Sequence, residues 1–233
     1  MTGHICFTLA GTMLKSTHPS TYGKIAPLYD SFLTISGFKR GVENFLGRLN
    51  LSFRPGARLL DAGCGTGLVA RWLASSFPTA EVIAFDIDPR MLHAAELKLT
   101  KRHLRHRLTL AVGDITSPDR LEVFPSGKSL LLPHGSVDGI FVSGALEHVP
   151  LQESVMRLSG LLKPGGLFFN LGVRRNPAGA VLAMVYRFRP YTISEMRRSC
   201  DLAGLAEIRT LRLSAEDFPA NLSRVAIMAK KRI

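Results

Sequence analysis

The chain has 233 residues, 46% hydrophobic and 21% charged, with no internal repeat or low-complexity tract; this suits one folded domain with a proper core. Its three cysteines, Cys6, Cys64 and Cys200, are far apart and form no Cys-x-x-Cys, which argues against a disulfide framework or zinc site and for a reducing, cytoplasmic setting. The net charge of +12 attracts nucleic acid, anionic membrane or acidic substrates and excludes none of them.

Along the chain, Ile5 to Leu14 is mildly apolar, but no Lys or Arg precedes it, so a signal peptide is not expected, and Met13 is an alternative start. No stretch approaches the ~18–20 apolar residues that span a bilayer. Gly37 to Leu49 reads as a helix with Val42, Phe45, Leu46 and Leu49 on one face. Leu59-Leu-Asp-Ala-Gly-Cys-Gly-Thr-Gly67 then reads as strand, glycine turn and helix, the helix starting at Leu68. A dinucleotide loop would carry Gly-x-Gly-x-x-Gly facing a pyrophosphate. Here the glycines alternate, and Asp61 sits two residues before the first. A carboxylate there repels a pyrophosphate and suits a cation. S-adenosylmethionine (SAM), with a sulfonium, an ammonium and no phosphate, fits.

Glu81-Val-Ile-Ala-Phe-Asp86 reads as a second strand ending in an acid placed to accept two ribose hydroxyls. Asp88-Pro89 starts a helix. The basic run Lys101-Arg-His-Leu-Arg-His-Arg107 is read as a solvated helix end. His93, His103 and His106 have no acid or cysteine at fixed spacing to complete a metal site, so none is expected. Leu108-Thr-Leu-Ala-Val-Gly-Asp114 is a third strand ending in an acid. About fourteen residues, Ser117 to Leu130, follow as an insertion; with Pro118, Pro125 and Gly127 they read as a surface loop with a short helix. Val137 to Val142 is a fourth strand, and Leu161 to Phe169 a helix end, a turn and a fifth. Pro177 to Tyr186 is an apolar run flanked by arginines, read as a pocket-lining helix. Tyr191-Thr-Ile-Ser-Glu begins the last helix with Thr192 or Ser194 as N-cap. Ala206 to Leu213 and Arg224 to Ala229 are two final strands in a hairpin.

These pieces, in register over roughly residues 55 to 170, resemble the class I SAM-dependent methyltransferases. The resemblance implies an α/β, Rossmann-like, seven-stranded mixed sheet of order 3-2-1-4-5-7-6 with strand 7 antiparallel and helices on both faces. It implies an N-terminal extension and helical lid over 1–50 and a methyltransferase domain over 51–233. It also implies a SAM site drawn from four places. Asp61, Ala62, Gly63, Cys64, Gly65 and Gly67 come from the first loop, and Asp86, Ile87 and Met91 from the second. Gly113, Asp114 and Ile115 follow strand 3, with the adenine amine beside Asp114; Ser143 and Gly144 follow strand 4.

After strand 4 the chain reads Ser143-Gly-Ala-Leu-Glu-His-Val-Pro150. The Asn/Asp-Pro-Pro-aromatic sequence of adenine and cytosine methyltransferases is absent, and so is the second glutamate of protein arginine methyltransferases. Leu-Glu-His-Val is similar to the small-molecule branch that includes ubiquinone and menaquinone biosynthesis methyltransferases, although the Gly-Leu-Arg-Asn-like sequence of quinone enzymes is missing. Tyr22-Gly-Lys-Ile-Ala-Pro-Leu-Tyr-Asp30 resembles the aromatic lid of that branch, where Tyr22 or Tyr29 can face the sulfonium by cation–π attraction. His148 is the leading candidate for a general base, with Tyr22 and Tyr29 as alternatives. The expected activity is methyl transfer to a small-molecule acceptor, anionic or lipophilic. The competing readings are an RNA-modifying methyltransferase, a peripheral-membrane lipid or quinone methyltransferase touching an anionic surface, and a non-catalytic SAM sensor. Acceptor and oligomeric state are not readable from the sequence.

Overall fold

The central strands are apolar at consecutive positions, the pattern of a sheet covered on both faces. A computed structural model describes residues 37–233 and shows where each side goes. In β1 (Arg58–Ala62) Leu60 enters one core and Leu59 the other; in β7 (Leu162–Val173) Phe168 and Phe169 divide the same way. The first core is closed by α4 (Leu151–Leu161) and α6 (Ile193–Leu202), through Val155, Leu158 and Cys200. The second is closed by α1 (Phe38–Gly47), α2 (Leu68–Ser76) and α3 (Pro89–Lys101), through Phe45, Leu73 and Leu92. Phe141 and Phe169 meet in its centre, with ring centroids 5.5 Å apart.

The remaining strands are β2 (Glu81–Asp86), β3 (Leu108–Val112), β4 (Arg120–Val123), β5 (Lys128–Leu131), β6 (Val137–Ser143), β8 (Leu205–Arg212) and β9 (Arg224–Lys231). The sheet order is β5-β4-β3-β2-β1-β6-β7-β9-β8. Pairs from β3 through β7 are parallel, and β9 is antiparallel to both β7 and β8. Seven of these strands follow the 3-2-1-4-5-7-6 order, but the sheet has nine. The Ser117–Leu130 insertion is not a loop with a short helix: it is a β4–β5 hairpin that extends the edge beyond β3. Leu121 and Leu132 bury there against the first core, while Arg120 and Glu122 stay exposed. Arg105 ties the hairpin back by donating from Nη2 to the Phe124 carbonyl at 3.2 Å.

Local chemistry fixes the helix starts. Asp88 caps α3 by accepting from the Arg90 N–H at 2.9 Å, with Pro89 at the first position. Thr192 and Glu195 form a reciprocal capping box on α6. Asn176 caps α5 (Pro177–Tyr186). Helix α1 is seated on the segment before α7 (Ala220–Ser223): Asp217, fully buried, accepts from Arg48 at 2.6 Å through both oxygens. A Cβ on Gly41 would stand 2.3 Å from the Asp217 carbonyl oxygen, so α1 lies on bare backbone there. Among the described residues, no helix is long and apolar enough to cross a membrane.

Candidate active site

Parallel α/β sheets bind ligands beyond the carboxyl ends of their strands, where the strand order reverses. That reversal falls between β1 and β6, and a cleft of about 280 Å³ opens there. Its wall includes Gly63 and Gly65 after β1, and Asp86, Ile87 and Met91 after β2. Gly113, Asp114 and Ile115 come after β3, and Ser143 and Gly144 after β6.

Asp61, Ala62, Cys64 and Gly67 lie behind this wall and do not line it. Asp61 is fully buried. Helix α2 has no side-chain cap of its own, and Asp61 Oδ2 accepts the N–H of Ala70, in its first turn, at 2.8 Å. The acid two residues before the glycines therefore holds the helix from beneath. Its Oδ1 is buried with no hydrogen-bond partner among the described residues, and burial pushes its pKa up to about 7, with the nearby Asp86 charge adding to the shift. Ala62 is part of the buried sheet. Cys64 turns into the second core, where burial holds its thiol well above the ordinary range. Gly67 faces α3: a Cβ there would lie 3.1 Å from that of Ala95.

The backbone of the glycine loop is already engaged. Gly63 and Cys64 both donate to the Phe85 carbonyl at 2.9 Å, Gly67 donates to Cys64, and Gly65 donates to Asp86 Oδ2 at 2.8 Å. A pyrophosphate would need those N–H groups free. Gly65 has φ +52, and a Cβ there would meet nothing within 4 Å; its bare backbone faces open cleft. Asp86 takes a second bond from the Asp88 N–H at 3.0 Å, yet burial outweighs both bonds and raises its pKa. Asp114 bonds the Thr116 N–H at 2.8 Å. A carboxylate has about four lone-pair directions, so each keeps capacity for a ligand hydroxyl or amine.

At the far end, the turn Leu146–His148 carries His148 to the cleft mouth. Its ring stands edge-on to Phe188, 5.1 Å between centroids. Partial burial, then the charge of Arg224, lowers its pKa, which keeps the imidazole neutral near pH 7. Glu147, its neighbour, is structural: buried, it accepts the Val173 N–H at 2.5 Å. Tyr191 donates to the Val149 carbonyl at 2.7 Å and so fastens the chain after α5 over the cleft. Tyr22 and Tyr29 lie outside the described residues. Leu182, Phe188, Val173 and Arg224 also line the cleft and were not anticipated individually. Leu182 belongs to the arginine-flanked apolar run Pro177 to Tyr186 read in the sequence, and Phe188 lies just beyond its end. Arg224 gave no signal, because a charge at the start of a terminal strand reads as an exposed end.

Comparison with known proteins bears on this site. Residues 60–168 match the family described as a methyltransferase domain. A ubiquinone/menaquinone biosynthesis C-methyltransferase of Syntrophotalea carbinolica is 30% identical over 214 residues, covering 88% of this chain and 81% of that protein. The chain belongs to the methyltransferase family. A ubiquinone biosynthesis O-methyltransferase of Xanthomonas campestris is 34% identical to this methyltransferase over 132 residues, 56% of its chain; the chain spans 49% of that relative's length. Among solved structures, geranyl diphosphate C-methyltransferase of Streptomyces coelicolor superposes with TM-score 0.65 at 15% identity, covering 82% of this chain and 76% of that one. The (4+2) cyclase SpnF gives TM-score 0.68 at 16% identity, covering 91% and 94%. At such identities the likeness concerns the fold, and one fold serves more than one chemistry.

Proposed function

We propose that this methyltransferase moves a methyl group from SAM to a small-molecule acceptor, with the N-terminal residues ahead of α1 closing over the cleft and Tyr22 or Tyr29 facing the sulfonium. The observation that carries this reading is the glycine loop whose N–H groups are spent on the protein, flanked by carboxylates at the ends of β2 and β3. Such a cradle disfavours a pyrophosphate and suits a cationic nucleoside. Asp86 is assigned the ribose hydroxyls and Asp114 the adenine amine. When bound, SAM supplies an electrophilic methyl on a leaving group that needs no acid. The protein's own work is to position the acceptor about 3–3.5 Å from that methyl, exclude water and, for a hydroxyl or acidic carbon, remove a proton. His148 Nδ1 or Nε2, neutral at pH 7 and beside the cleft, is placed to take it.

Calorimetric titration of the full chain with SAM tests the cofactor. Wild-type protein is expected to bind it. Asp86→Ala is expected to weaken binding roughly 10- to 150-fold, the worth of a charged hydrogen bond of about 1.5–3 kcal/mol, while the protein stays folded. Uptake of NAD with no uptake of SAM would overturn the reading. The RNA-modifying alternative draws on a second cleft between α1, α2 and α3, lined by Lys39, Arg40, Arg71, Lys98, Lys101 and Arg102 with Glu43 as its acid. A steep fall of RNA affinity with salt would favour it.

A further inference from the structure

Arg224 is a buried cation whose Nε and Nη1 have no hydrogen-bond partner, and which makes no ion pair, among the described residues. It is 92% buried by area, since only 8% is exposed, and it lines the cleft. The ring of Phe38 lies 5.2 Å from its guanidinium carbon, a cation–π contact that offsets only part of the lost hydration. Buried guanidinium groups are ordinarily paired, because an unpaired charge in a low-dielectric site is costly.

The topology explains how it comes to face the cleft. Strand β9 runs antiparallel to β7, so its first residue, Arg224, pairs with Val173, the last residue of β7, at the ligand-binding edge. The guanidinium lies over Gly144, just after β6: a Cβ on Gly144 would sit 3.1 Å from Nη1. The charge of Arg224 also reaches His148. Asp86, by contrast, ends β2. Four strand intervals separate β2 from β9, about 19 Å at ~4.8 Å each. Arg224 therefore stands at the acceptor end of the cleft, far from the nucleoside end.

We propose that Arg224 is an anchor for an oxyanion, a carboxylate or phosphate, carried by the methyl acceptor, so that the enzyme selects negatively charged acceptors. The planar fork of arginine matches either group with two parallel hydrogen bonds. Gly144 keeps the space in front of it open. With His148 beside it, one end of the acceptor would be held by charge while the reacting end meets the proton acceptor. This rests on the reading of the cleft as a SAM-dependent active site.

The test uses the full chain saturated with S-adenosylhomocysteine (SAH), titrated with benzoate, phenyl phosphate and neutral benzamide. Benzoate or phenyl phosphate is expected to bind, benzamide not. Arg224→Gln should weaken the charged probe roughly 10- to 150-fold and leave SAH affinity unchanged. If Arg224→Gln does not fold, Arg224→Lys replaces it; this variant keeps the charge, loses the fork and should show an intermediate loss. Equal binding of charged and neutral probes, or unaltered affinity in the variants, would overturn the proposal. So would a loss of SAH affinity in the variants, which would assign the fork to the methionine carboxylate of the donor. The sole acid within residues 1–36 is Asp30; tighter benzoate binding in Asp30→Asn would assign the fork to an internal ion pair and equally overturn it. Failure of the wild type to bind SAH would instead sink the cofactor reading, and the probe titration without SAH would then still test the arginine.

Discussion

Two titratable side chains set the pH behaviour, and they work in opposite ways. His148 has its pKa lowered by partial burial and then by the charge of Arg224, which favours the neutral imidazole. Turnover on a hydroxyl acceptor is expected to be flat above pH 7 and to fall only below the ordinary histidine range. His148→Ala should reduce kcat by roughly 10²–10⁴-fold with SAM affinity unchanged, measured by single-turnover kinetics and calorimetry. Asp61 has its pKa raised to about 7, chiefly by burial. Its folded value lies above the unfolded one, so ionising it costs the free protein stability as pH rises toward and through 7. A bound cation favours the ionised form, depresses that pKa and releases a proton. SAM affinity should therefore rise by up to about tenfold from pH 6 to pH 8. Asp61→Asn, which keeps an oxygen for the Ala70 N–H, should flatten the dependence. Calorimetry in two buffers of different ionisation enthalpy measures the proton released.

The elements differ in how openly the sequence declares them. The alternation of apolar runs and acids at strand ends made β1, β2, β3, β6 and β7 legible, because buried parallel strands are continuous apolar segments. Thr192 with Glu195 three residues later announced α6, and the reciprocal bonds of that capping box are present. Thr192→Ala should cost about 1 kcal/mol and lower Tm by roughly 2–4 °C in thermal unfolding. The β4–β5 hairpin was hidden by Pro118, Pro125 and Gly127, whose turn signals masked a short alternation, Arg120 out, Leu121 in, Glu122 out. The cofactor half of the site could be read because local loops build it. The acceptor half could not: Arg224 reaches the cleft only because β9 runs backward beside β7, a long-range pairing that no local pattern encodes. Asp61 was legible as important, but its work as a cap across nine residues for α2 needed the fold to be seen.

At the scale of the whole molecule, one sheet separates two cores, and among the described residues each core holds one thiol: Cys64 in the second, Cys200 in the first. Burial pushes Cys200 up to about 12 and Cys64 well above the usual thiol value, so neither is a thiolate near neutrality. An alkylating reagent such as iodoacetamide can therefore react with them only when the surrounding structure opens. Cys200 sits under α6 and reports breathing of that face. Cys64 sits in the glycine turn itself and reports the loosening of the donor cradle. Peptide mapping after timed labelling should find both unmodified in the native protein. Adding SAH should slow the labelling of Cys64 more than that of Cys200, turning an inert pair of sulfur atoms into a two-channel clock for how the protein tightens around its nucleoside.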